Sequence, residues 1–411
     1  MLGERDEKGN WGECDEIGNK LICINCETVF EPNPWLFKCP KCGGLLEVKY
    51  SAMRLSWDEL RRRPLRVWRY KELLPHVENP ISLDEGGTPL VRSNMFNNVY
   101  IKFEGTNPTG SFKDRGMTVA ITIAKEAGAK SVVVASTGNT AASASAYAAR
   151  AGLQCYVFLP QGAVAQGKLA QVSLHGAKII EVQGNFDKAL QMVIDITNSK
   201  TIYPLNSFNP WRLEGQKTIA FEIYDQLGCP EWVVVPVGNA GNISAIWKGF
   251  KELNALGLCN KLPKMVGVQA EGASPLATAW MKKLENPLFV ENPETIATAI
   301  KIGKPVNWPK AWKAIKESGG LFITVTDHEI MLAQKLLAKK DGIGAEPAGA
   351  ASMAGLKKLI EQNIIGKEEL TVVIVTGHAL KDPSSALDGF NIIKASQEEI
   401  SHLMRGDFNE G

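Results

Sequence analysis

The feature that most constrains this chain is a rhythm that begins near residue 99. Short apolar runs rich in β-branched residues recur at 99–103, 131–135, 154–159, 177–182, 232–237, 265–269 and 371–376. Ala-rich or amphipathic stretches with helical spacing lie between many of them, including 140–151, 186–196 and 212–227. A strand that is apolar along its whole length is buried on both faces, and the segments between such strands then cover a parallel sheet as helices. The class is α/β. At 411 residues the chain exceeds what one core usually organises, so two or three domains are expected.

The function classes that charge would favour are excluded early. With 46 basic and 44 acidic residues the net charge is +2, which offers no field for nucleic acid or an anionic membrane. No apolar run approaches the roughly 20 residues of a membrane helix, and the opening MLGERDEKGNWGECDE is polar and acidic, unlike a secretory signal. A cytoplasmic protein with no nucleic-acid or membrane partner is expected.

In such a compartment the eight cysteines are expected as thiols or metal ligands, not disulfides. Cys23-x2-Cys26 and Cys39-x2-Cys42, twelve residues apart, have zinc-ribbon spacing. Two such knuckles supply four thiolates to one tetrahedral ion, so the site is closed and structural. Pro40, Gly43 and Gly44 suit the turn at the second knuckle; Cys14 is out of spacing. Paired thiols without metal remain the alternative.

Chemistry concentrates in four segments. Glu104-Gly-Thr-Asn-Pro-Thr-Gly-Ser-Phe-Lys113-Asp-Arg-Gly follows a predicted strand and opens a predicted helix. Asn107, Pro108 and Gly110 form the loop, Ser111 is the expected cap, and Lys113 falls in the first turn. The helix end and neighbouring Arg115 are expected to lower its pKa, as covalent carbonyl chemistry requires a free amine. Ser136-Thr137-Gly-Asn139-Thr140 and Gly238-Asn239-Ala240-Gly241-Asn242 are small-residue turns between strand and helix, whose backbone N–H groups suit an anion. Neither has the spacing of a dinucleotide or Walker loop. Asn206-Ser207-Phe-Asn-Pro-Trp-Arg212 combines a guanidinium fork with hydroxyl and amide donors, a set suited to a phosphate ester. Each segment alone is also consistent with an ordinary capped turn, surface lysine or surface helix.

Together, and with Thr376-Gly-His378-Ala-Leu-Lys-Asp382-Pro, these segments resemble fold-type-II pyridoxal-phosphate enzymes, and the PTGSFKDRG wording is most similar to the threonine synthase family. The resemblance covers roughly residues 80–385. It implies two parallel-sheet α/β domains with the active site between them, plus an N-terminal zinc-ribbon-like module. The expected boundaries are 1–50 for tail and module, 51–98 for a linker and arm, 99–205 for a smaller domain and 206–411 for a larger one, which also packs part of 51–98. It implies pyridoxal phosphate as cofactor, bonded to Lys113, with Asn139, residues 238–242 and Thr376 around it. Ser136, Thr137, Thr140, Asn206, Ser207 and Arg212 would hold the substrate, O-phospho-L-homoserine, and a homodimer is implied. His378 and Asp382 are read as turn-stabilising. The sequence departs from the family pattern at Ala141, Gly349 and Ala379, which touches fine packing only. A threonine dehydratase or cysteate synthase of the same fold is the nearest alternative. The segment 272–320 is irregular, with Pro287, Pro293, Pro305 and Pro309; a short helix plus a mobile stretch beside the site is compatible with it, and the sequence does not settle its role.

Overall fold

The structure is a computed structural model that describes residues 19–50, 55–161, 166–183, 186–197 and 200–386. The polar tail with Cys14, and the expected larger domain beyond 386, lie outside the described residues. The chain opens with β1 (Asn19–Cys23), β2 (Val29–Phe30) and β3 (Leu46–Tyr50), then α1 (Trp57–Arg61) and β4 (Leu90–Arg92). The alternating body runs β5 (Val99–Phe103), α2 (Lys113–Glu126), β6 (Ser131–Ala135), α3 (Asn139–Ala151), β7 (Gln154–Pro160), α4 (Gln166–Leu174), β8 (Lys178–Val182), α5 (Phe186–Thr197) and β9 (Ile202–Pro204). It continues with α6 (Pro210–Leu227), β10 (Trp232–Pro236), α7 (Gly241–Ala255), β11 (Lys264–Ala270), α8 (Pro275–Met281), α9 (Trp308–Ser318) and β12 (Leu321–Val325). The last elements among the described residues are α10 (Asp327–Asp341), α11 (Pro347–Glu361), β13 (Thr371–Val375) and α12 (Pro383–Ala386).

Three sheets result: the N-terminal β2-β1-β3, a four-stranded β8-β7-β6-β9 and a six-stranded β12-β11-β10-β13-β5-β4. All pairs in the two larger sheets are parallel except β4 with β5. The strands WVVVP of β10 and TVVIV of β13 are buried at every position, as their unbroken apolar runs require. Helix ends follow their capping chemistry. Asn209 caps α6 by accepting from Trp211 N, with Pro210 in the first turn, and Thr326 and Glu329 form a reciprocal capping box on α10.

One strand changes sides. Residues 99–103 were expected to open the smaller half, yet β5 pairs with β13 from Val99↔Thr371 to Phe103↔Val375, inside the six-stranded sheet. Apolar periodicity identifies a strand but not its neighbour, and here the neighbour lies at the other end of the chain. A second correction concerns the cysteines. Cys229 and Cys259 are joined as a disulfide with Cα atoms 5.9 Å apart, so these two are not thiols.

Parallel strands send their carboxyl ends the same way, and ligands of open α/β sheets bind in the crevice outside those ends. The segments after β5, β9, β10 and β13 converge there on one cleft. Two helices meet beside it at van der Waals limit. A Cβ on Gly215 of α6 would sit 1.7 Å from the Arg115 carbonyl oxygen, and one on Gly116 of α2 would sit 2.6 Å from that of Arg212. Only glycine at both positions allows this crossing.

The N-terminal sheet is not detached. Leu21, Cys23, Cys39, Leu46 and Val48 belong to the same apolar cluster as Val119, Ala144, Tyr203 and Trp211. Full burial of each of the Leu and Val side chains contributes about 1.5–3 kcal/mol.

Candidate active site

The loop ahead of α2 is held from inside. The Asp114 carboxylate accepts from the Thr109 backbone (2.7 Å), the Thr109 hydroxyl (2.6 Å) and the Ser143 hydroxyl (2.5 Å). Gly110 takes φ +84° to make the turn. On its other side the loop zips to the segment after β13: Phe112 N donates to Thr376 O (3.0 Å) and His378 N to Gly110 O (2.9 Å). Lys113 and Thr376 therefore stand side by side on the cleft wall. Ser111 does not cap α2, because Phe112 occupies the cap position; the Ser111 hydroxyl is buried with no partner in the protein.

Lys113 is the first residue of α2 and half-buried in the cleft. Loss of hydration there lowers its pKa to about 7; the Arg212 cation adds to the shift and the Glu346 carboxylate opposes it. The cation expected to act, Arg115, does not. Residues i and i+2 of a helix do not share a face, and Arg115 turns instead to Glu104 (2.6 Å) and Glu222 (2.7 Å).

Arg212 is 2% exposed. Its Nη1 donates to Leu205 O (2.8 Å), its Nε has no partner, and no carboxylate among the described residues pairs with it. Burial lowers its pKa to about 10, which leaves it charged at neutral pH. Ser207 lies beside it on the cleft wall and accepts a hydrogen bond from the Asn239 side chain (2.8 Å). Asn206 is used differently from the expectation. Its amide exchanges two 3.0 Å bonds with the Ala135 backbone, tying the end of β6 to the 206–207 segment.

The turn after β10 behaves as an anion cradle. Ala240 adopts φ +64°, a left-handed conformation rare for a residue with a side chain, and α7 starts at Gly241. Such a turn points successive N–H groups at one spot in front of a helix N-terminus. At Gly238 a Cβ would lie 2.9 Å from the Ile300 Cα, so the backbone is closely roofed. The roof comes from the irregular 272–320 segment, whose Ala299 and Ile300 line the cleft. The expected short helix is α8, with α9 after the roof.

Asn139 starts α3, and its Nδ2 donates to both carboxylate oxygens of Glu346 (2.9 Å each). Glu346 stands at the residue before α11, lines the cleft and has its pKa raised by burial. Sequence reasoning passed over it, although an acid directly before Pro347 at a helix start marked the place. Gln216 was also missed: one turn after Arg212, it lines the cleft on the same face. Ser136, Thr137 and Thr140 are half-buried at the start of α3, and neither they nor Asn206 line the cleft around Lys113. His378 has the expected turn role: its Nδ1 accepts from Leu380 N (3.1 Å).

The cleft is lined by Lys113, Ser207, Arg212, residues 238–242 and Thr376, among others. Arg212 Nε, Gln216 Oε1 and both amide atoms of Asn242 are buried on its walls without partners. Buried polar atoms are nearly always satisfied in native proteins, so this concentration marks a place shaped for a polar ligand. An amine whose pKa burial has lowered to about 7, a glycine-lined anion cradle and orphaned donors together fit an aldehyde cofactor that carries a phosphate. At the N-terminal sheet a second set of donors meets. The Sγ atoms of Cys23, Cys26, Cys39 and Cys42 all lie within 4.8 Å of one another, with Cys23–Cys42 at 3.4 Å and Cys26–Cys39 at 3.6 Å. Thiolates about 2.3 Å from a tetrahedral ion stand at about this separation, so the cluster is able to hold a metal.

Comparison with known proteins gives the same direction. The family described as pyridoxal-phosphate dependent enzyme matches residues 81–377. A threonine synthase of Methanocaldococcus jannaschii is 55% identical over 392 residues, 92% of this chain and 95% of that one. The threonine synthase of Methanosarcina acetivorans is 50% identical over 378 residues, 90% of this chain and 93% of its own. Among solved structures, maize serine racemase superposes with a TM-score of 0.63 at 21% identity, covering 85% of this chain and 98% of that one. A tomato threonine deaminase does so at 0.62 and 24% identity, covering 73% and 86%. These two likenesses speak for the fold alone. No helix among the described residues is long and apolar enough to cross a membrane. By its sequence relatives and its cleft together, the chain belongs to the threonine synthase family of pyridoxal-phosphate-dependent enzymes.

Proposed function

We propose that this chain converts O-phospho-L-homoserine and water into L-threonine and inorganic phosphate, the last step of threonine biosynthesis. The observation that carries the reading is Arg212, a buried guanidinium with no carboxylate partner among the described residues, on the wall of the cleft that also holds Lys113. A buried charge without a partner is costly unless a ligand completes it. A phosphate ester does so through the fork of the guanidinium. The dehydratases of the same fold act on hydroxy amino acids, which bring no such anion.

Each residue then has a task. Residues 238–242 hold the cofactor phosphate in their cradle and Thr376 faces the cofactor ring from the cleft wall; Asn139, itself off that wall, is assigned to the ring through its bonds to Glu346, which lines it. When bound, pyridoxal phosphate supplies the electron sink that lets a carbon beside the amino group give up its proton. Lys113, neutral above a pKa of about 7, takes protons from the α and β carbons and returns one to the γ carbon. Arg212 and Ser207, with Thr140 brought in from the start of α3, hold the phosphate as the bond from its oxygen to the γ carbon breaks, while Asn206 fixes the 206–207 segment to β6. Ser136 and Thr137 face the substrate carboxylate. Water adds its oxygen at the β carbon, the second proton returns from Lys113 to the α carbon, and the proton that water gives up leaves with the released phosphate, one phosphate for each water consumed.

The same proposal takes zinc as the ion of Cys23, Cys26, Cys39 and Cys42, and a cytoplasmic homodimer as the working form. Metal analysis of the purified protein and sedimentation at assay concentration check these two. The test of the reaction is phosphate release from O-phospho-L-homoserine, assayed beside ammonia release from threonine and sulfite consumption with O-phosphoserine. Phosphate release that vanishes in Lys113→Ala is expected; ammonia from threonine without phosphate from the ester would sink the assignment.

A further inference from the structure

The cysteine-bearing module is the one sequence feature to which the proposed reaction assigns no task, and its contacts give it one. Between the two knuckles, Trp35 and Phe37 set their rings edge-on against Tyr203, with centroids 5.3 and 5.2 Å apart, and Phe37 also meets Phe208 at 6.1 Å. Tyr203 and Phe208 bracket the segment that contains Leu205, whose carbonyl accepts from Arg212, and Ser207. The module thus packs directly on the back of the 203–208 segment.

Its other edge grips α6. Tyr50, the last residue of β3, donates its hydroxyl to Glu214 Oε2 (2.7 Å), two residues beyond Arg212. The Lys217 ammonium stands 4.1 Å from the centre of the Tyr50 ring. Lys248 of α7 bonds both Glu214 and the Val48 carbonyl (2.5 Å for the latter), joining β3, α6 and α7 at one buried point. These contacts reach Arg212 from both sides: aromatic rings behind the segment that receives its guanidinium, and an ionic cluster on the helix that carries it.

We propose that the module is a positioning element of the substrate site, acting through Phe37 and Tyr50 to hold Ser207 and Arg212 in register across the cleft. It rests on the reading that these two bind the substrate phosphate. A misplacement of about 1 Å in a positioning group can change a rate or affinity by about 100-fold, so a partial loss of backing is measurable.

The holoenzyme variants Phe37→Ala, Phe37→Leu, Tyr50→Phe and Arg212→Met provide the test. For each, KM and kcat with O-phospho-L-homoserine, the inhibition constant of inorganic phosphate and the cofactor absorbance are measured. In Phe37→Ala, KM and the phosphate constant are expected to rise together by about 10-fold, with kcat within about 2-fold and cofactor absorbance unchanged; Phe37→Leu regains part of the loss. Tyr50→Phe, which removes one hydroxyl and keeps the ring, carries the same test at about 3-fold even if Phe37→Ala proves insoluble. Unchanged phosphate constants in Tyr50→Phe and Phe37→Leu would overturn the inference, as would a loss confined to kcat and cofactor content. Arg212→Met separates the two levels. If it leaves phosphate inhibition intact, the phosphate reading itself fails; if it abolishes inhibition while the module variants do not, only the positioning role fails.

Discussion

Two guanidinium groups, Arg115 and Arg212, are both buried within one helix crossing of each other, and they live in opposite electrostatic settings. Arg115 is enclosed by Glu104 and Glu222, the latter also bonded to Lys102 (2.8 Å), so every charge in that cluster is answered. Its pKa is raised by these carboxylates against the loss of hydration, and that of Glu222 is held far down. Arg212 has a carbonyl and a vacant Nε. The contrast teaches how to separate a charge that holds a fold from one that waits for a ligand: burial is the same, and neutralisation differs.

The comparison can be broken in three places. The largest effect is expected on stability. Arg115→Met leaves Glu104 and Glu222 buried with Lys102 as the remaining cation, which costs about 3–5 kcal/mol. Denaturant unfolding of the apo protein measures it, and a loss below 1 kcal/mol would mean the cluster is not what holds α2 to α6. Next, Arg212→Met is expected to hold or gain thermal stability while kcat/KM for the phosphorylated substrate falls by about 100- to 1000-fold. A drop in melting temperature equal to that of Arg115→Met would erase the distinction. The smallest effect is on pH. The Lys113 amine is free above its pKa of about 7, so the rate at which apo protein takes up pyridoxal phosphate should climb through about pH 7 and level off above it. The Arg212 cation disfavours a proton on Lys113, so Arg212→Met moves that midpoint upward; stopped-flow absorbance across pH 6–9 reads it, and a midpoint moving down would contradict the sign.

The contrast between the two arginines was invisible in the sequence for a physical reason. Arg115 stands two positions from Lys113 and looked like its electrostatic neighbour, but helical geometry turns it to the opposite face. Arg212 stands 99 positions away and is the neighbour in space. What was legible was local: apolar runs gave strands at β5, β6, β7, β8, β10, β11 and β13, and small-residue turns after β6 and β10 gave helix starts. What was not legible depended on distant pairing. The sheet to which β5 belongs is decided by β13, Glu346 matters because Asn139 meets it, and the Cys229–Cys259 bond joins residues with nothing in their spacing to announce it. Three-residue β9 carried too little pattern to be read at all.

The glycine pair at 116 and 215 has one more consequence. Because backbone touches backbone there, no rotamer or shim intervenes between the helix that carries the base and the helix that carries the anion anchor. Their spacing is a ruler cut into the main chain. A change in the length of substrate this scaffold accepts would therefore have to come from another part of the wall, such as the 299–300 roof, whose side chains can be exchanged without prying the ruler apart.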